Sequence, residues 1–248
     1  MLGPLEVAVG GHPVHLAGAR TRAVLALLLV QANQVVPSDR LIEELWPGHP
    51  ADKARDSLQV RISELRKAFR SAGEADRLAT RPPGYVVRVA TEELDAQRFE
   101  RLAGDGDAAL AAGDATTAAE CLDQALSMWR GPALSDVNAA PAARTEAARL
   151  EEKRLAALET RAEALLACGR HRELIAELEA LTAAHPLRER FWYQRMLTLY
   201  RAGRQADALR HDPVHENRGR PGESDQGPGP GSPGTTDQEQ RRRHARHV

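Results

Sequence analysis

Apolar residues recur at helical spacing along most of this chain, most sharply from Lys53 to Arg70, KARDSLQVRISELRKAFR. Leu58, Ile62, Leu65 and Phe69 fall at i, i+4, i+7 and i+11, a single stripe down one side of a helix. The opposite side carries Asp56, Gln59, Val60, Ser63, Lys67 and Arg70, with Arg61 and Arg66 on its flanks. One side is built for burial and the other is basic and amide-bearing. Lys and Arg neutralise phosphates, and a Gln amide pairs with a base edge in a major groove. The bland alternative is an ordinary solvated amphipathic helix.

The flanking pattern gives this helix its setting. Leu5–Val9 and Pro13–Leu16, separated by Gly10-Gly11, predict a small antiparallel hairpin. Thr21 to Asn33 predicts a helix with Val24, Leu25, Leu28 and Leu29 inward, closed by Asn33 in a left-handed conformation. Val35-Val36 predicts a short extended bridge. A second helix follows, with Ser38 as N-cap and Leu41, Ile42 and Leu45 inward, stopped at Trp46-Pro47-Gly48. Trp46 itself is expected in the core. The loop GHPADK then leads into the Lys53–Arg70 helix. Leu78–Arg81 and Tyr85–Val89 flank Pro82-Pro83-Gly84, predicting a hairpin with a rigid tip. Three helices and such a hairpin make a winged helix, whose third helix can enter a major groove while the wing tip reaches the adjacent minor groove.

From Thr91 the pattern is helical throughout. Asp95 is the expected N-cap of a helix running to Ala112. After Gly113-Asp114 a second helix has Ala118, Leu122, Ala125, Leu126 and Trp129 inward, and the segment 131–141 is a loop. Further helices are expected over Arg144–Cys168, from Gly169-Arg170 to Ala184, and over Arg188–Ala202. Gly169-Arg170 and Gly203-Arg204 lie 34 residues apart, the tetratricopeptide period, in which each helix pair buries one face against its neighbour. The fold class is therefore mainly α: an N-terminal winged helix-turn-helix with small β-hairpins, 1–91, then a TPR-like α-helical repeat domain, 92–210.

From His211 to Val248 only Val214 and Val248 are aliphatic, so 211–248 cannot bury a core and is expected to be disordered. The change falls inside a helical pattern begun by Gln205–Arg210. It points to a shifted reading frame in a GC-rich gene, with a genuine flexible tail as the rival; resequencing through codon 210 separates them.

Composition narrows the function. Net charge is −1, so the 248-residue chain as a whole has no nucleic-acid signature, but Lys53–Arg70 holds six basic residues against two acidic ones, a footprint confined to one face. Aromatic residues make up only 4%, and Ala and Leu dominate, which favours helices over sheets. Cys121 and Cys168 form neither a disulfide framework nor a CxxC pair, and Val24–Val30 is too short an apolar run to span a bilayer, so a soluble cytoplasmic protein without membrane contact is expected. The histidines show no HExxH or Cys/His cluster, and neither GxxxxGK[ST] nor GxGxxG occurs, so no metal and no cofactor is expected. Paired carboxylates and a nucleophile elbow are also lacking, and the chain is not expected to be an enzyme.

Ser57-Leu58-Gln59-Val60-Arg61-Ile62-Ser63-Glu64-Leu65-Arg66-Lys67, followed by Thr80-Arg81-Pro82-Pro83-Gly84-Tyr85, resembles the winged helix of OmpR/PhoB-type response regulators. LGPLEV at the N-terminus and ELWP before the loop resemble the Streptomyces antibiotic regulatory proteins, the SARP or AfsR/DnrI-like branch. WRGPALSDV and LRERFWYQRMLTLYRAGRQADAL look like that branch's bacterial transcriptional activator domain. The resemblance implies an activator of a secondary-metabolite cluster that binds double-stranded promoter repeats, self-associates on DNA and recruits RNA polymerase. Carried over by position, Ser57, Gln59 and Val60 face bases, and Arg61, Arg66 and Lys67 hold phosphates. Ser63, Arg70 and Arg88 join the same surface, Arg88 as a solvated or wing-phosphate residue. Arg81 approaches the minor groove, and Pro47, Gly48, His49, Asp52 and Lys53 contact polymerase or its sigma factor. Glu64 departs from the pattern: it either accepts from a cytosine amino group or points away. The other reading of the whole is a helical-repeat adaptor whose winged helix contacts protein rather than DNA.

Overall fold

The computed structural model describes residues 1–90, 92–137 and 140–210; the expected tail 211–248 and its reading-frame question lie outside the described residues. The chain opens with β1 (Ala8–Val9) and β2 (His12–Pro13), paired antiparallel, with Gly10 and Gly11 at φ +56° and +81° in the turn. Two positive φ angles in succession are what a two-residue hairpin turn of this hand requires. The strands are shorter than expected because the chain before them turns away. The Leu5 N–H is bound to Asp136 Oδ1 at 2.7 Å, far along the sequence.

α1 (Ala19–Val30), β3 (Val36–Pro37), α2 (Ser38–Leu45) and α3 (Ala51–Ser71) follow, then β4 (Leu78–Arg81) and β5 (Gly84–Val87). The second sheet runs β3-β5-β4, antiparallel throughout, so the Val35-Val36 bridge is the third strand of the wing sheet. The stripe on α3 is buried as its spacing requires: Leu58, Ile62, Leu65 and Phe69 pack with Leu25, Leu28 and Leu41. Two local expectations need correction. Ser38 is the first residue of α2 and makes no side-chain cap, because Pro37 holds the N-cap position. Asn33 is left-handed, at φ +66°, but α1 has already ended at Val30. Its amide instead brackets Val89, donating to the carbonyl at 2.9 Å and accepting from the N–H at 3.0 Å, which fastens the end of α1 to the end of the wing.

The helical part comprises α4 (Asp95–Ala111), α5 (Ala115–Ser127), α6 (Pro141–Ala167), a 3-10 turn (His171–Leu174), α7 (Ile175–Ala184), α8 (Glu189–Arg201) and α9 (Gln205–Arg210). Asp114 caps α5, accepting the Thr117 N–H at 3.0 Å. The helix expected after Gly169-Arg170 begins only at Ile175, preceded by the tighter turn. Asp95 is not a cap either. It is the first residue of α4, and its carboxylate takes the Met1 ammonium at 2.8 Å and the Leu2 N–H at 3.1 Å.

The two parts share a core. Leu2, Leu41 and Leu58 belong to the same buried cluster as Phe99, Leu134, Val137, Ala143 and Leu150. Polar ties cross the same boundary: Glu44 accepts the Ala142 N–H at 2.9 Å, and Arg22 pairs with Asp136 at 2.9 Å. A second cluster, with Leu165, Leu166, Leu178 and Phe191, holds α6 to α8.

Between the parts, Glu93 is clamped by Arg77, with Nη2 to Oε1 at 2.7 Å, and accepts the Ala90 N–H. The Arg77 guanidinium and that backbone N–H hold the Glu93 carboxyl below its ordinary value. A carboxylate depressed on folding adds stability above its unfolded value, and the gain is lost as pH falls through the folded value. Part of the drop in melting temperature below about pH 4.3 should therefore belong to Glu93. Glu93→Gln should melt lower than the parent at pH 7, and the gap should narrow as acid protonates the parent's Glu93, as followed by circular dichroism. Parallel curves from pH 7 into acid would refute the assignment.

Candidate nucleic-acid interface

α3 presents its polar side in three sectors, and neighbouring elements decide which residue belongs to which. At the centre Val60, Ser63, Lys67 and Arg70 are exposed, and Val60, 49% exposed, is a large apolar side chain left facing solvent. An exposed methyl-bearing residue between cations suits the thymine methyl of a major groove. Among the described residues neither Lys67 nor Arg70 has an ion-pair partner, so both charges remain available.

Towards the wing, Gln59 donates from Nε2 to Tyr85 Oη at 2.9 Å. One turn pair further on, Arg66 donates from Nη2 to Thr80 Oγ1 at 2.6 Å and from Nε to the Leu78 carbonyl at 3.4 Å. Arg66, expected to hold phosphate, thus ties α3 to β4. Towards α1, Arg61 donates to both Glu64 oxygens, at 3.0 and 2.8 Å, and Thr21 Oγ1 donates to Glu64 Oε2 at 2.6 Å. Glu64 therefore points off the central face, the second of the two alternatives left open by the sequence. Ser57 is half-buried, and its hydroxyl donates to the Lys53 carbonyl within the helix at 2.8 Å.

At the wing, Pro82-Pro83 is a cis peptide, and Arg81 stands exposed beside it. Arg88 is exposed past the other end of β5, where its N–H donates to the Arg77 carbonyl at 2.8 Å. The fold thus gathers Gln59, Val60, Ser63, Lys67, Arg70 and Arg81 on α3 and the wing, and sets Arg88 apart beside the clamp of Arg77 and Glu93.

The segment between α2 and α3 is shorter than its sequence suggested. Asp52 and Lys53 already lie in the first turn of α3, because Pro50 takes the N-cap position and Asp52 suits a helix start. What remains as loop is Pro47, Gly48 and His49, all exposed, with Gly48 at φ +75°. Trp46 anchors it from below, 2% exposed, with the Arg20 guanidinium 5.7 Å from its ring centroid.

The contacts that sequence reasoning missed are those of Tyr85, Thr80 and Thr21. In the sequence Tyr85 stands only as the first residue of the second hairpin limb and the last of the wing motif, with nothing to pair it with Gln59. Among the described residues no cluster of three His, Cys, Asp or Glu is arranged to hold a metal, and no helix is long and apolar enough to cross a membrane.

A winged helix whose third helix carries a cationic face, joined to an all-helical second part, defines the class: a transcriptional regulator with an OmpR/PhoB-type winged helix. Comparison agrees on both parts. Residues 11–87 match the C-terminal domain of transcriptional regulatory proteins, and residues 94–211 match the bacterial transcriptional activator domain. More particularly, the chain belongs to the SARP, or AfsR/DnrI-like, family of transcriptional regulators. It is 42% identical over 216 residues to the regulatory protein DnrI of Streptomyces peucetius, covering 84% of this chain and 79% of that one. The transcriptional regulator RedD of Streptomyces coelicolor is 36% identical, with 84% and 61% covered. The transcriptional regulatory protein EmbR of Mycobacterium tuberculosis is 41% identical, but the chain spans only 54% of it. A solved structure of EmbR in complex with a low-affinity phosphopeptide superposes with a TM-score of 0.80 at 40% identity, over 85% of this chain and 56% of that one.

Proposed function

We propose that this protein is a sequence-specific DNA-binding transcriptional activator of a secondary-metabolite gene cluster. α3 enters the major groove of promoter repeats, Lys67 and Arg70 hold phosphates, and Gln59, Val60 and Ser63 face base edges. Arg81 at the wing tip meets the neighbouring minor groove. Copies bound to adjacent repeats associate, and Pro47, Gly48 and His49, with Asp52 and Lys53, present a surface to RNA polymerase or its sigma factor. The observation that carries this reading is that Lys67 and Arg70 on the exposed face of α3 have no ion-pair partner among the described residues and stand beside an exposed wing; the relatives DnrI and RedD, both named as regulators, support it.

A gel-shift titration on the intergenic DNA beside the gene tests it. Several phosphate contacts release several counterions, so log affinity should fall linearly with log salt, with a slope of about −0.9 per phosphate held. A flat salt dependence would favour the other reading, an adaptor whose winged helix binds protein. Alanine at Pro47 and His49 together, with Gly48 at φ +75° left in place, should leave DNA affinity unchanged while abolishing transcription in a purified polymerase assay.

Glu64 restrains one cation of the face. Glu64→Gln keeps the side chain's shape but removes the charge that holds Arg61. The freed guanidinium can take a phosphate, so the variant should bind all DNA sequences several-fold more tightly, with a salt slope steeper by about 0.9. Unchanged affinity and slope would show that Arg61 does not reach the duplex.

A further inference from the structure

We infer that Tyr85 is a positioning residue for base readout: its hydroxyl fixes the plane of the Gln59 amide, so that one donor and one acceptor of that amide face the groove together. The inference rests on the reading of α3 as a groove helix. Gln59 is exposed, yet its Nε2 is held by Tyr85 Oη at 2.9 Å from 26 residues away.

The hydroxyl is a fixed point. Tyr85 is 4% exposed and lies in the middle strand, opposite Val36 on one side and Thr80 on the other. It cannot shift without opening both ladders. Arg66, bound to Thr80 and Leu78, holds the same side of α3 to the hairpin at a second level. The spacing between helix and wing is therefore set twice.

An amide carries two N–H donors and one carbonyl oxygen. When the N–H directed away from its own oxygen is given to Tyr85, the other N–H and Oε1 lie side by side on the free edge. That pair matches the N7 acceptor and N6 donor of adenine. Without the tyrosine hydroxyl, the terminal amide torsion is broad and two-fold. The amide can then turn its NH2 to the two acceptors of guanine, and the preference for adenine weakens. The wing thus contributes to specificity without touching a base.

The experiment uses the full chain. Bound sequences are selected from random duplex DNA with the parent, Tyr85→Phe, Gln59→Ala and the double variant, and the consensus is titrated against its single-base changes. Tyr85→Phe should keep its affinity for random DNA within about twofold and its salt slope unchanged. It should lose about tenfold discrimination at one base pair, the same pair that Gln59→Ala relaxes, and the double variant should lose no more. In the unmodified chain, one Gln59 Nε2 proton should resonate downfield of those of freely rotating glutamines, a readout that needs no variant to fold. Tyr85→Phe retaining the parent's discrimination overturns the inference, as does a uniform weakening on every sequence or a Gln59 amide with free-glutamine shifts. No salt-dependent DNA binding by the parent would instead defeat the groove reading, and this inference with it.

Discussion

Gly84→Ala is expected to destabilise the protein by about 3 kcal/mol, the upper end of ordinary overpacking, and to weaken DNA binding with it. A Cβ at residue 84 would stand 1.9 Å from the Val36 carbonyl oxygen, 2.7 Å from its carbon and 2.8 Å from Pro37 Cα. All three atoms are backbone, so no side chain can swing aside. β3 is held in place by its pairing with β5 and runs directly into α2, and the Ser38 N–H donates to the Pro83 carbonyl at 3.2 Å beside the clash. Relief requires β3 and β5 to separate, which would displace Tyr85 and with it the partner of Gln59. Gly104→Ala is the matched control. That glycine lies within α4, and a Cβ there meets nothing within 4 Å. It should gain about 0.5–1 kcal/mol, the ordinary advantage of Ala over Gly in a helix. Urea denaturation of the two variants measures both signs. A Gly84→Ala chain as stable as the parent would mean that β3 and β5 do not approach this closely.

The double reversal Lys67→Glu with Arg70→Glu should lower affinity for every DNA sequence on the order of 100-fold at low salt, because two phosphate attractions become repulsions. The salt slope should become shallower by about two, one for each lost contact. Stability should move by less than about 0.5 kcal/mol, since both side chains are exposed and among the described residues neither is paired. That separation of effects sets these residues apart from Arg66. Arg66→Ala should also loosen the wing, because it removes the bonds to Thr80 and Leu78. Fluorescence anisotropy against salt, with a melting curve for each variant, distinguishes the cases. Unaltered DNA affinity in the double reversal would remove the central face of α3 from the interface.

The elements most legible in the sequence are those with a strong period. The stripe from Leu58 to Phe69 names the buried side of α3 correctly because burial repeats every turn. The breaks at Gly113, Gly169 and Gly203 were readable for a related reason: all three adopt positive φ, where glycine carries no penalty. Cap residues were less legible. Ser38, Asn33 and Asp95 are residue types that favour helix ends, but the adjacent proline takes the cap position from Ser38, and partners distant in the chain occupy the side chains of the other two. Pro37, Val89 and the first residues of the chain, respectively, decide what these three do.

Periodicity and residue type were thus enough to place nearly every helix, its inward face and the cationic side of α3, because those properties depend on neighbours within a turn or two. The pairing of Gln59 with Tyr85, of Arg66 with Thr80 and of Arg61 and Glu64 with Thr21 left no trace in the local pattern. Nor did the shared core that joins Leu2 and Leu41 to Phe99 and Leu150. Such contacts arise where distant segments happen to meet, and a hydrogen bond or a packed methyl group across that distance imposes no repeat on the chain. Which cations on α3 stay exposed, and which are bound to other described residues of the fold, was therefore decided only when the wing and α1 closed on either side of it.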